Sequence, residues 1–438
     1  MSFIEILFLV SVILIWFMIG YQFIFTVYGY INYVKSMKEK KEFDVMEIDY
    51  PTCSILIPAH NEEQVIAFTI EAMMKMNYPK DKLKIVVIND GSKDSTRDII
   101  LHYASIDERV QLFDIPQGQG GKGKSRTLNI AVKEVKSDII AIYDADNTPE
   151  PDALRYLVAN LVTNKELGGV IGKFRTVNKD TNLLTKFINI ETLSFQSILQ
   201  AGRWQMHQIA TFPGTNLIMW THLIHELNGW DEEALTEDSE LSIRLYELGY
   251  KIKFVPYAVT WEQEPETWKV WIKQRTRWVR GNNYVIGKFF KSIHKFKNKR
   301  LSLDLLYTLS LYYIFFVAVI LSDILFILSA LNFISIPLPG PYTYVWALAF
   351  ILFLFEIMLS LSYDKEDKPK NFFLILLMYF TYCQLWIYLI FKAYYIDNIK
   401  KEGHTWDKTV RFNVKKKLDN QHDVKFTGED SKVTGQPK

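Results

Sequence analysis

Long apolar runs and mixed runs divide this chain unevenly. Residues 3–28 are apolar apart from Glu5 and Gln22, and a helix of that length crosses a bilayer. A basic stretch at residues 35–41 follows, which marks a cytoplasmic flank. No Lys or Arg precedes the first run and no small-residue cleavage site follows it, so a cleaved signal peptide is not expected. Three further apolar runs come late, at about residues 305–333, 342–361 and 372–395. Four crossings would put the basic tail after residue 395 outside, whereas its Lys and Arg favour the cytoplasm. Either one late run is re-entrant or interfacial, or the count of crossings differs.

The mixed region between these runs alternates short apolar segments with segments of helical spacing. Strands are expected at residues 53–58 (CSILIP), 84–88 (KIVVI), 110–114 and 138–143 (DIIAIY), and helices at 61–76, 96–105 and 123–135. Such alternation predicts an α/β domain with a largely parallel sheet and helices on both faces. Ligands of such sheets bind beyond the carboxyl ends of the strands. Polar residues gather at those ends: His60-Asn61-Glu62, Asn89-Asp90-Gly91-Ser92 and Asp144-Ala145-Asp146.

Composition narrows the picture. The 51 Lys and Arg nearly balance 49 Asp and Glu, for a net charge of +2, so no nucleic-acid partner is expected. Cys53 and Cys383 are too few for a disulfide framework and are read as reduced packing residues.

Several motifs carry chemistry. Two carboxylates two residues apart at a strand end, Asp144 and Asp146, are hard oxygen ligands suited to Mg²⁺ or Mn²⁺. The loop at residues 117–124 (QGQGGKGK) offers amides and ammonium groups to a pyrophosphate. Its letters fit a P-loop, but the preceding Asp-Ile-Pro is a poor buried strand end. Thr236-Glu237-Asp238 opens a helix, where Thr236 or Asp238 could simply be the N-cap. Gln274-Arg275-Thr276-Arg277-Trp278 lies in a Trp-, Lys- and Arg-rich amphipathic helix of the kind that rests on a membrane surface. Residues 187–204 read as a similar element.

The order Asn89-Asp90-Gly91-Ser92, Asp144-Ala145-Asp146, Thr236-Glu237-Asp238, then Gln274-Arg275-Thr276-Arg277-Trp278, with membrane runs after them, resembles the processive membrane glycosyltransferases of family 2. These are the synthases of cellulose, mixed-linkage β-glucan, chitin, hyaluronan and poly-N-acetylglucosamine. The resemblance implies a GT-A domain inserted between transmembrane helices, with amphipathic interface helices, and inverting transfer from a UDP-sugar to a growing polysaccharide. It implies that Pro58, Ala59, Glu62 and Asp90 hold uridine, Lys124 the pyrophosphate, Asp144 the nucleotide and Asp146 the metal. Asp238 would be the general base. Gln274, Arg277 and Trp278 would flank the diphosphate and the acceptor sugar, and Gly214 and Thr215 would lie in an acceptor-side loop. A gating-loop equivalent is found only at residues 406–411.

The expected division is a transmembrane helix at 1–30, a cytoplasmic catalytic domain at 31–265 and an interface helix at 266–300. Channel-forming helices at 301–396 and a basic tail at 397–438 complete it. The location implied is the plasma membrane, multi-pass. So few crossings leave a narrow channel, which an accessory protein or a second copy would complete. The expected donor is UDP-glucose and the expected product a 1,4 or mixed 1,3/1,4 β-glucan. UDP-N-acetylglucosamine polymerisation and non-processive transfer to a lipid-linked acceptor are the alternatives.

Overall fold

The computed structural model describes residues 3–403 except 117, 297 and 336–341, so the segment at 406–411 lies outside the described residues. The chain begins with a continuous 43-residue helix, α1 (Phe3–Val45). The domain then runs β1 (Cys53–Ala59), α2 (Ile66–Met74), β2 (Leu83–Asp90), α3 (Thr96–Ile106), β3 (Val110–Ile115), α4 (Lys124–Val132) and β4 (Ile139–Ile142). It continues with β5 (Thr148–Pro149), α5 (Ala153–Thr163), β6 (Leu167–Thr176), α6 (Leu183–Ser194), α7 (Ala201–His207) and β7 (Leu217–Trp220). It closes with α8 (Thr221–Glu226), α9 (Glu237–Glu247) and β8 (Lys251–Glu262). The later helices are α10 (Trp268–Phe290), α11 (Lys299–Leu309), α12 (Phe316–Ala330), α13 (Tyr342–Ser362), α14 (Pro369–Phe380) and α15 (Leu385–Tyr394).

The expected strands β1 to β4 are present, and with the later ones they form one sheet in the order β3-β2-β1-β4-β7-β6-β8-β5. Strands β3, β2, β1 and β4 are parallel neighbours. The sheet is mixed beyond them: β7 runs antiparallel to both β4 and β6. The chain reaches β7 after the α6–α7 excursion and enters the sheet from the opposite end. Every residue of β4 is buried, as are Ile55, Leu56 and Ile57 of β1, as expected for strands covered on both faces.

Residues 187–204 are not a free amphipathic element. They lie in α6, a π-helical segment (Phe195–Gln200) and α7, and most of their side chains are buried. Close approach of backbones explains this. A Cβ on Gly29 would lie 2.3 Å from the Ser197 carbonyl oxygen, and one on Gly202 would lie 2.4 Å from that of Phe25. The α6–α7 segment is therefore a brace between α1 and the domain. A second apolar cluster joins α1, α6, α10, α13, α14 and α15 through Phe25, Phe187, Trp271, Leu361 and Tyr382.

Among the described residues two helices are long and apolar enough to cross a membrane, Phe3–Val45 and Lys299–Ser329. Tyr342–Ser362 is a 21-residue apolar helix. The last apolar run is not one straight helix, because α14 and its continuation are bent by 41° at a break. Both cysteines are free, Cys53 inside β1 and Cys383 at that break.

Candidate active site

Parallel pairing sets the carboxyl ends of β1, β2 and β4 side by side, with Ala59 opposite Asn89 and Leu56 opposite Ile142. Beyond β1 the chain turns at Asn61 (φ 54°). The Asn61 amide donates to Ser92 Oγ (2.9 Å), and Asn61 Oδ1 accepts from the Lys93 amide (2.8 Å). His60 Nδ1 lies 2.7 Å from the Asp90 carbonyl oxygen. These bonds tie the ends of β1 and β2 into one rim.

The glycine-rich loop crosses that rim. A Cβ on Gly120 would lie 2.5 Å from the Asp90 carbonyl oxygen and 2.7 Å from Asp90 Oδ1, so only glycine lets the loop lie so close. The loop ends at Gly123, and α4 starts with Lys124. The Lys124 ammonium donates to Asp144 Oδ1 (2.5 Å) and to the Gly214 carbonyl (2.6 Å). Burial disfavours its charge, but Asp144, Glu237 and Asp238 outweigh burial and raise its pKa.

At the end of β4 the Asp144 amide donates to Thr215 Oγ1 (3.1 Å), and the Thr215 hydroxyl donates to Asn147 Oδ1. Thr215, expected to face the acceptor, is thus bonded to the Asp-Ala-Asp turn. Asp146 is buried, and its Oδ2 accepts from the Gln263 amide (3.3 Å).

Glu237 and Asp238 occupy the first turn of α9. The N-cap position belongs to Thr236, whose side chain makes no capping bond, so capping does not account for the acidic pair. Asp238 Oδ1 accepts from the Ser239 amide (2.8 Å). Its other oxygen faces Gly214 (φ 87°), where a Cβ would come within 3.0 Å of it. Burial, and then the adjacent Glu237 carboxylate, push the Asp238 pKa up to about 7 against the pull of Lys124 and Arg277. Burial raises the Glu237 pKa as well.

Helix α10 approaches this turn closely, since a Cβ on Gly281 would lie 2.5 Å from Thr236 Cγ2. Gln274 Oε1 accepts from Arg275 Nη1 (2.6 Å), and the Arg275 guanidinium lies 3.9 Å from the centre of the Trp278 ring. Arg277 Nη1 reaches the Leu235 carbonyl at 3.4 Å. Arg275 Nη2 donates to Glu191 Oε2 (2.7 Å), which also accepts from the Tyr382 hydroxyl (2.7 Å).

Every site residue named from the sequence lines one cavity of about 560 Å³. The same cavity reaches Leu311, Phe316 and Trp386 on the late helical segments. Sequence reasoning missed the partners behind the site. His60 was only one of a polar cluster, and Asn147 carried no signal. Glu191 carried one: it is the single carboxylate in an otherwise uncharged stretch, FINIETLSF.

Among the described residues no group of three or more His, Cys, Asp or Glu side chains is placed to hold a metal. Asp144 and Asp146 are hard oxygen donors at the rim, and this sparse set fits a Mg²⁺-like ion that takes its other ligands from a substrate diphosphate and water.

Known proteins are similar to this chain. A chain from Bacillus subtilis (strain 168), "Probable glycosyltransferase YdaM", is 44% identical over 414 residues, covering 94% of this chain and 99% of that one. The poly-beta-1,6-N-acetyl-D-glucosamine synthase of Staphylococcus aureus (strain COL) is 30% identical over 262 residues, 60% of this chain and 61% of that one. A mannosyltransferase from Pyrobaculum calidifontis, solved with GDP-Man and Mn²⁺, shares the fold with a TM-score of 0.59 at 19% identity, covering 90% of this chain and all of that one. The fold is that of GT-A enzymes. The family model described as "Glycosyltransferase like family 2" matches residues 51–281, and the chain is a glycosyltransferase that belongs to that family.

Proposed function

We propose that this enzyme is a processive, inverting synthase that builds a β-linked polysaccharide from a UDP-sugar and threads it through its own membrane helices. One observation supports this reading above the others. A single cavity runs from the strand ends, through Asp238 and Trp278, to residues of the late helices. A transferase that released its product after each addition would not need that continuity.

The residues suit the chemistry. Pro58, Ala59, Glu62 and Asp90 form the uridine end of the cavity under the glycine-rich loop. Asp238 takes the proton from the acceptor hydroxyl as that oxygen attacks the anomeric carbon, and the bond to the diphosphate breaks on the opposite face. Lys124 and Arg277 face the charge that develops on the leaving UDP, with Gln274 beside them. Trp278 offers a flat apolar face to the acceptor ring, and Arg275 holds the indole from behind. Gly214 leaves room beside Asp238, and Thr215 fixes the turn that carries Asp144. Asp146, with Asp144, would hold Mg²⁺ or Mn²⁺, which supplies positive charge to the diphosphate when bound.

UDP-glucose is the donor expected from the glucan-synthase resemblance of residues 274–281. The relative named as a poly-beta-1,6-N-acetyl-D-glucosamine synthase favours UDP-N-acetylglucosamine as a second reading. Incubation of the purified enzyme with each radiolabelled UDP-sugar, followed by linkage-specific glucanase, chitinase and β-1,6-N-acetylglucosaminidase digestion, decides between them. Long labelled polymer from one donor is the expected result. Transfer of single sugars from every donor would refute processive synthesis.

A further inference from the structure

The helix pair α14–α15 has the composition of a bilayer crossing but not its connections. Just before α14, Asp364 pairs with Lys173 and Glu366 with Lys179, and Arg175 lies 3.9 Å from Asp364 and Glu366. Lys173 and Arg175 belong to β6, so this end is fastened to the catalytic domain. At the break, the Tyr382 hydroxyl and Trp386 Nε1 donate to the two oxygens of Glu191 (2.7 and 3.0 Å). Trp271 Nε1 donates to the Tyr382 hydroxyl (2.9 Å). Past α15, Arg280 donates to Asp397 Oδ1 (2.6 Å) and to the Glu402 carbonyl (2.9 Å).

Arg280 lies on the domain side without ambiguity. Its neighbour Gly281 packs against Thr236, and one turn on, the Tyr284 hydroxyl donates to Asp231 (2.9 Å). Lys288 pairs with Asp231 (2.6 Å) and Glu240 (2.8 Å). A pair that crossed the hydrocarbon would carry its far end about 30 Å from its start. This pair is instead held by domain-side groups before it, at its middle and after it.

Helix α13 behaves differently. Glu356 lies beside Gln22, and the Tyr363 ring stacks on Tyr33 with centroids 4.8 Å apart. These two contacts make α13 run parallel to α1, toward the domain, while the segment Lys299–Ser329 leaves it.

We infer that α14–α15 does not cross the bilayer but lies in its domain-facing leaflet, so that residue 403 and the catalytic domain share one side. The inference rests on the membrane reading above. Its occupant is the lipid of that leaflet. Phe373 (68% exposed), Phe380 (59%), Phe391 (64%) and Tyr394 (55%) project from the pair into solvent-accessible space, and Lys370, Lys392, Lys400 and Lys401 accompany them. Aromatic rings with flanking lysines suit the boundary between acyl chains and headgroups. The chain then crosses at α1, at α11–α12 and at α13. Lys400 and Lys401 fall on the side that positive residues prefer.

Cysteines added one at a time at Lys165, Asn332 and Lys401, all exposed, test this in a Cys383→Ser background, where the remaining Cys53 is buried, with a membrane-impermeant maleimide on sealed vesicles of each orientation. Cysteines from Lys165→Cys and Lys401→Cys should label from the same side, and Asn332→Cys from the other. Labelling of Lys401→Cys together with Asn332→Cys, opposite Lys165→Cys, would overturn the leaflet placement alone. Labelling of all three from one side would overturn the membrane reading, and this placement with it. A Phe391→Trp variant adds a depth readout as the difference in quenching from the parent, which already has 11 Trp: added quenching strongest by lipids brominated near the headgroup supports the placement, and added quenching strongest at the bilayer centre refutes it.

Discussion

As the proposed base, Asp238 meets two opposing demands. A base that takes a proton from a sugar hydroxyl gains from a raised pKa, yet it must be ionised at working pH. Burial and Glu237 raise it to about 7, while the Ser239 amide, Lys124 and Arg277 stop the rise there. Below pH 7 the protonated form grows, so the rate should fall about tenfold per unit under pH 6 and level off above pH 8. A pH–rate profile for polymer formation checks this, and a flat profile from pH 5 to 8 would remove Asp238 as the base. Asp238→Asn should retain donor binding and lose about 10²–10⁴-fold in rate. Asp146 calls for a separate test, because two carboxylates at the rim make up the sparse donor set. Asp146→Asn should depress turnover without shifting the melting temperature, and chelation by EDTA should silence the parent enzyme until Mg²⁺ or Mn²⁺ is restored. Full turnover in metal-free buffer would rule the cation out.

At the scale of elements, α10 is held on both flanks. On one side Gly281 lets it touch the Thr236 turn. On the other, Arg275, only 1% exposed, is neutralised by Glu191. Removing one partner of a buried pair leaves an uncompensated charge, so Glu191→Ala should cost about 3–5 kcal/mol. Glu191→Gln keeps the shape and one of the two acceptor oxygens that serve Tyr382 and Trp386, and loses the charge. It should keep donor hydrolysis and shorten the product, because Arg275 no longer braces Trp278. Unchanged product length on a size-exclusion profile would make Glu191 a structural residue only. The difference in what was legible follows from chain separation. Asp90, Asp144, Asp146 and Asp238 each sit in a few contiguous residues at the end of a strand or the start of a helix, and such segments show in the sequence. The Glu191 network joins residues 84 and 191 positions apart, and no local pattern encodes it. Strand β7, read LIMW, would look the same in either direction; its antiparallel course follows from the route through α6–α7. Hydropathy likewise cannot separate α14–α15 from a crossing, because lipid surrounds apolar side chains in either position.

For the whole molecule, the decisive feature is that the candidate site and the late apolar helices share one cavity. Trp278 and Trp386 line it together with Asp238 and Phe316. An acceptor bound along such a path has several sugar units in contact with protein, so its dissociation should be slower than the next addition. Synthesis is then expected to produce a few long chains early, with most acceptor untouched, rather than a slow uniform lengthening of all chains. A pulse of radiolabelled donor followed by excess unlabelled donor measures this directly. Label should move into progressively longer chains at a rate independent of enzyme dilution. Narrowing the passage with Thr308→Trp, on the late-helix side of the cavity, should shorten the product while leaving the first transfer to a short acceptor within about twofold of the parent. Such a split between first transfer and chain length follows only if the polymer travels through this passage. If Thr308→Trp slows both steps equally, the product leaves by another route and the late helices serve as an anchor.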